Sequence, residues 1–155
     1  MFKLDSSIRN SESIAIFKIK LLSLIRPAQS KIYNIFDPTG LKLLTRLRLG
    51  FSHLNEHKFR HNFEDCLNPL CFCSLEIEDT NHYLLHCQYF SMHRIDLINC
   101  VNSLLDNFDS LSDNDKRDIL LYGDPRFDTN KNKLILESTI TYIKNTNRFS
   151  GSLFE

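Results

Sequence analysis

Three thiols and one imidazole fall within seventeen residues: Cys71-Phe72-Cys73, then His82, then Cys87, a C-x-C-x8-H-x4-C pattern. Thiolate sulfur and neutral imidazole nitrogen are the donors that Zn²⁺ prefers, and four of them complete a closed tetrahedral structural site. Four of the five cysteines and two of the six histidines lie between residues 66 and 87, where chance would scatter them. The alternative use of these thiols is burial. Free cysteine is among the most buried residue types, and Cys87, four after Tyr83 and three before Phe90, falls where a small core residue fits; Cys100 reads the same way.

Two points of geometry bear on the metal. One residue between Cys71 and Cys73 is tighter than the usual spacing of about two to four. His82 and Cys87, five apart, would project about 140° apart on an ideal helix, so the helix must begin near His82 or distort for both to reach one ion. Cys66 and His86 are the substitute ligands.

The elements that must position these residues are mostly helical. Ile14, Phe17, Leu21 and Leu24 give Ser11 to Arg26 one apolar face, ended by Pro27. Asp37-Pro38-Thr39-Gly40 is turn chemistry. Leu41 to Leu49 reads as a short helix stopped by Gly50, and Leu54 to His61 as a second. Asn62 to Asp79 contains Pro69 and no sustained period, an irregular loop where a metal would replace a core. Tyr83, Cys87, Phe90, Leu97, Val101 and Leu104 keep helical spacing, which predicts one long helix or a bent pair from Thr80 to Leu105. Ser112 caps a helix that runs to Tyr122, with Asp115 in the role usually taken by Glu. Leu136, Ile140 and Ile143 mark a last helix over 130–146. The expected fold is mainly α: a small helical domain with an irregular zinc-binding loop between helices. Its segments are a basic helical part over 1–61, the metal motif over 62–90, C-terminal helices over 91–149 and a frayed tail over 150–155.

The formal charge of zero conceals an asymmetry. Residues 1–61 hold eleven Lys/Arg against four Asp/Glu, and residues 62–155 hold eight against fifteen, so the halves carry +7 and −7. A basic half can meet phosphate, or it can pack against its own acidic half. No apolar run reaches bilayer length, and the opening lacks the apolar core of a secretory signal, so an intracellular, reducing setting is expected and no membrane partner. An odd cysteine count argues against a disulfide framework.

The order Leu44-Thr-Arg46-Leu-Arg48-Leu-Gly50, then His53 to Arg60, then Cys71-x-Cys73 and Glu78-Asp-Thr-Asn-His82-Tyr-Leu-Leu-His86-Cys87 resembles the region downstream of the reverse transcriptase domain in non-LTR (LINE-type) retrotransposon polyproteins. That family carries a C-terminal cysteine–histidine motif matching Cys71, Cys73, His82 and Cys87; Cys66 falls outside it. The resemblance extends to Lys18–Pro27 and to Tyr142–Phe149. It implies a noncatalytic accessory domain that binds one structural Zn²⁺ and nucleic acid, RNA or DNA with low specificity. The polymerase itself needs a palm with metal-binding aspartates, and no such sequence occurs here; no small-molecule substrate is expected.

Arg46, Arg48, Lys58 and Arg60 are the candidate phosphate contacts, and Phe51, Phe59 and Phe63 the candidate stacking faces. The competing use is internal, with the phenylalanines in a core and the arginines paired to Glu64, Asp65 or Glu78. Two further classes stand beside the accessory domain. One is a metal-free helical scaffold remnant without a nucleic-acid role. The other is a thiol enzyme using Cys73 or Cys87 with His82 or His86, for which the sequence places no oxyanion donor and no orienting carboxylate.

Overall fold

The computed structural model describes residues 37–149. The helix expected over Ser11 to Arg26 and the tail over 150–155 lie outside the described residues. The described residues are mainly helical, as the periodicity predicts, and none forms a strand beyond an isolated antiparallel bridge between Leu70 and Ile77. No helix among them is long and apolar enough to cross a membrane.

Helix α1 (Pro38–Leu49) starts three residues before the expected Leu41, because the turn residues themselves launch it. Asp37 is extended and its Oδ1 accepts the Gly40 N–H at 2.9 Å, while Pro38 sits where its missing N–H costs nothing. Gly50 ends the helix in the left-handed region (φ 69°), which lets Phe51 N–H reach the Arg46 carbonyl at 3.0 Å. Helix α2 (Asn55–Arg60) is one and a half turns long. After the loop, a π-helical turn (His82–His86) and a 3₁₀ turn (Gln88–Phe90) lead into α3 (Ser91–Asn102). Of the two forms expected from Thr80 to Leu105, one long helix or a bent pair, the chain takes a broken one, and the break falls at Cys87. Helix α4 (Asp113–Tyr122) is capped by Ser112, whose Oγ accepts from Asp115 N–H at 3.2 Å. Asp115 is too short to reach the Ser112 backbone as Glu would, and its Oδ2 instead accepts a hydrogen bond from the Ser112 hydroxyl at 2.6 Å. Helix α5 (Thr129–Asn145) is capped by Asp128.

Helix α5 is the central element and packs against α1, α3 and α4. Its Ile135, Leu136, Ile140, Tyr142 and Ile143 meet Leu44 and Leu47 of α1, Leu97 and Val101 of α3, and Leu120 and Leu121 of α4 in one buried core. A Cβ on Gly40 would sit 2.4 Å from Ile140 Cγ2, so α1 approaches α5 as closely as only glycine allows.

One buried ion pair closes the unit. Glu78 is fully buried at the end of the loop and receives Arg148 Nε on Oε1 at 2.7 Å and Arg148 Nη2 on Oε2 at 2.5 Å. Oε2 also accepts the Asn55 N–H at 2.7 Å, and Arg148 Nη2 reaches the His53 carbonyl at 2.9 Å. The start of α2, the end of the loop and the chain beyond α5 therefore share one anchor. Desolvating two charges costs several kcal/mol per ion, and this density of hydrogen bonds is what offsets it. Glu78→Gln leaves the Arg148 cation buried against a neutral amide, so urea denaturation should give a stability loss of about 3–5 kcal/mol. Replacing both partners with apolar residues should cost less than that single change.

Candidate metal centre

His82 and Cys87 come from the π turn. Asp79 starts it, with Oδ1 accepting His82 N–H at 2.7 Å and its carbonyl accepting Tyr83 N–H at 3.0 Å. Cys87 N–H then bonds the His82 carbonyl at 2.7 Å. An i to i+5 bond spends one more residue on the turn than an α-helix does, so Cys87 lies over His82 instead of far around the axis. This is the distortion that the spacing required. The widened turn leaves carbonyls without helical partners, and two buried side chains supply them. Arg94 donates from Nε to Leu84 O at 2.7 Å and from Nη2 to Cys87 O at 2.9 Å and Tyr83 O at 3.3 Å; the Tyr142 hydroxyl donates to Tyr83 O at 2.5 Å.

Cys71 and Cys73 come from the loop, where residues 69–78 fold back on themselves. Glu78 N–H bonds Pro69 O at 2.8 Å and Cys71 N–H bonds Glu76 O at 2.9 Å. Ser74, left-handed at φ 62°, reverses the chain directly after Cys73, and its N–H bonds the Cys71 carbonyl at 2.8 Å. This tight reversal is how a single intervening residue suffices.

The two pieces meet. Cys71 Sγ lies 3.5 Å from Cys87 Sγ, Cys73 Sγ lies 3.3 Å from His82 Nε2, and all four ligand atoms lie within 4.8 Å of one another. Cys71, His82 and Cys87 are buried and Cys73 is half-buried. This group could hold a metal ion. His82 Nδ1 faces Glu76 Oε2 at 2.9 Å. An ionised carboxylate only accepts, so Nδ1 carries the proton and Nε2 offers its lone pair to the cluster, the arrangement that carboxylates impose on ligating histidines. Burial pushes the Cys71 thiol up to about 12, with the neighbouring thiols adding to it. Burial would raise Cys73 as well, but the Leu75 N–H, the Cys71 thiol and His82 all favour its thiolate and bring it down to about 7.

The other candidates point elsewhere. Cys66 Sγ contacts the carbonyls of Asn68 and Asn55 at 3.2 and 3.4 Å, and exposed His86 pairs with Asp113 at 2.8 Å. Cys100, half-buried on α3, is remote from the cluster in its contacts. Of the four cations predicted to meet phosphate, Arg48 is buried, with Nε on the Leu121 carbonyl at 2.6 Å and its guanidinium over the Tyr122 ring. Lys58 pairs with Asp65, and Arg60 pairs with Glu56 at 3.4 Å. Arg46 is half-buried on α1. Glu78 serves Arg148 and the Asn55 N–H. Phe51, Phe59 and Phe63 are exposed.

No family model, curated protein or solved structure matches the chain.

Sequence reasoning missed the residues that support the cluster: Glu76 behind His82, Arg94 and Tyr142 behind the π turn, and Arg148 behind the loop. Arg94 carried a weak signal as the first Lys/Arg after a stretch from 62 to 93 without one.

A metal must displace the Cys71 proton at any physiological pH, because that thiol titrates near 12, and below about 7 it must displace the Cys73 proton too. Zinc binding should therefore release protons and weaken as pH falls, more steeply below pH 7 than above it. Competition against a chromophoric chelator at pH 8, 7 and 6 measures this; an affinity independent of pH would show that these thiols are not the ligands.

Proposed function

We propose that this chain is a noncatalytic helical module organised by one structural Zn²⁺ held by Cys71, Cys73, His82 Nε2 and Cys87. The convergence of four soft donors within 4.8 Å carries the proposal. Zinc with Zn–S near 2.3 Å and Zn–N near 2.0–2.1 Å spaces tetrahedral donors roughly 3.5–3.8 Å apart. The pairs at 3.5 and 3.3 Å lie close to that separation. Three thiolates select zinc over the hard cations Mg²⁺ and Ca²⁺, and four protein ligands leave no open position for a substrate.

The order of motifs from Leu44 to Cys87 supports an origin as an accessory domain or remnant of a non-LTR retrotransposon reverse transcriptase polyprotein. The nucleic-acid role that this origin implies has thinner support, because Arg48, Lys58 and Arg60 each engage a group of their own chain. The exposure of Phe51, Phe59 and Phe63 is what remains in its favour, two of them already in ring contact with His61 and His53. The quadruple replacement of Arg46, Arg48, Lys58 and Arg60 separates the two uses. Loss of single-stranded RNA binding with a flatter salt dependence supports phosphate contact; a lowered melting temperature with unchanged binding rejects it.

A thiol enzyme is the second reading, and one observation favours it. Cys73, His82 and Glu76 line up as thiol, imidazole and orienting carboxylate, a carboxylate that the sequence did not place. Two further thiols in the same cluster weigh toward metal, since such a triad needs neither. Iodoacetamide kinetics discriminate: a structural zinc centre should leave Cys73 slow to alkylate until the ion is chelated, after which it should react ahead of Cys71. Elemental analysis of protein purified under reducing conditions should find one zinc per chain. Cys73→Ser should lose the ion and Cys100→Ser should keep it. No zinc in the purified protein overturns the proposal.

A further inference from the structure

The loop that carries Cys71 and Cys73 holds apolar side chains out into solvent. Phe63, Leu67, Leu70, Phe72, Leu75 and Ile77 are six of the twelve large hydrophobic residues exposed among the described residues, yet they fall within fifteen positions. Leu67 is 88% exposed, and Phe72 and Leu75 are each 63% exposed. Scattered apolar residues on a surface are ordinary, whereas a contiguous run on a pinned loop marks an interaction site. This loop is pinned at several points. Asn55 Nδ2 holds the Leu70 carbonyl at 2.5 Å, Arg148 holds Glu78 and lies over the Phe72 ring at 4.7 Å, and the two thiols face the π turn. Apolar groups already fixed in place lose little entropy when a partner covers them.

Charge decides which partner. Residues 62–93 hold five acids and no Lys/Arg. Arg148 neutralises Glu78 and Lys58 neutralises Asp65, which leaves Glu64, Glu76 and Asp79. Three thiolates and a neutral imidazole around a divalent ion add a further formal −1. An acidic, apolar surface repels phosphate, so neither a nucleic acid nor an anionic bilayer suits it. We propose that the apolar face of the 63–77 loop docks a partner protein through a segment combining apolar with Lys/Arg side chains. The inference rests on the zinc proposal, because the ion is what would fix Cys71 and Cys73 to the core.

The test is to pan a random peptide library against the full chain purified with zinc, with zinc stoichiometry measured on the same sample. Selected peptides should pair apolar with basic residues, and their binding should fall about tenfold or more to the Leu67→Ser/Leu75→Ser variant. Both positions are exposed, so that variant should keep its melting temperature and its zinc. Absence of enrichment, an acidic consensus, or equal binding to the variant overturns the docking proposal. Loop-dependent binding of a single-stranded RNA oligonucleotide or of phosphatidylserine-containing vesicles, in place of the peptides, overturns it in favour of those occupants. One zinc per chain with no enrichment defeats docking alone, whereas a sample without zinc defeats the metal proposal.

Discussion

The site depends on one backbone irregularity, the i to i+5 bond from Cys87 N–H to the His82 carbonyl. With about 3.6 residues per turn, an α-helix through this segment would turn either His82 or Cys87 away from the loop thiols. A π turn gives up regular bonding to align them, and π turns recur at functional sites for this kind of reason. The cost appears as carbonyls of Tyr83, Leu84 and Cys87 facing the interior. Arg94 answers all three, and Tyr142 adds a second donor to Tyr83 O. A buried arginine whose hydrogen bonds go to backbone carbonyls, with its guanidinium over the Tyr142 ring, is costly because its charge is desolvated. Its three hydrogen bonds hold open a turn that the core would otherwise wind into ordinary helix.

Two of the four donors thus belong to the core, and two belong to a loop with almost no core of its own. Within the loop, Cys71 is the buried apolar contribution, and every aromatic or aliphatic side chain from Phe63 to Ile77 points outward. Burial of apolar area cannot hold such a segment. Specific bonds do: the Pro69–Glu78 and Cys71–Glu76 backbone pairs, Asn55 on Leu70, and the Glu78–Arg148 pair. Arg148 follows α5, the helix on which the core is assembled, so the loop's fixed end is tied to the most contacted element of the fold.

The helices were legible because their signals are local. Gly50 stops α1, Ser112 caps α4, and Leu136, Ile140 and Ile143 share a face of α5, each a matter of a few neighbouring residues, whereas the start of α1 at Pro38 reads as a turn. That Cys71, Cys73, His82 and Cys87 gather in one cluster was legible for a different reason: their donor types are rare, and their grouping survives ignorance of the fold. Their supports were not. Glu76, Arg94, Tyr142 and Arg148 are ordinary polar residues at ordinary positions, and their roles come from tertiary contacts reaching as far as Tyr83 to Tyr142 and Glu78 to Arg148. The same limit explains Arg48. Its place beside Arg46 on a short basic helix suggested a shared surface, but residues two apart on a helix face different directions, and Arg48 faces α4.

The distribution of bonds also separates what a metal would contribute from what it would not. Helices α1, α3, α4 and α5 bury their leucines, isoleucines and aromatics against one another, and Arg94 and Tyr142 brace the π turn without any reference to the loop thiols. The core therefore has its own reasons to fold. The loop has only polar anchors, and those anchors fix residues 69, 71, 76 and 78 while Cys73 sits between them. An ion joining Cys71 and Cys73 to His82 and Cys87 would close that remaining degree of freedom, contributing most of its binding energy to local order and little to the global fold. Such a centre acts less as a keystone of the domain than as a clasp on one exposed surface, and the surface it clasps is the apolar run from Phe63 to Ile77.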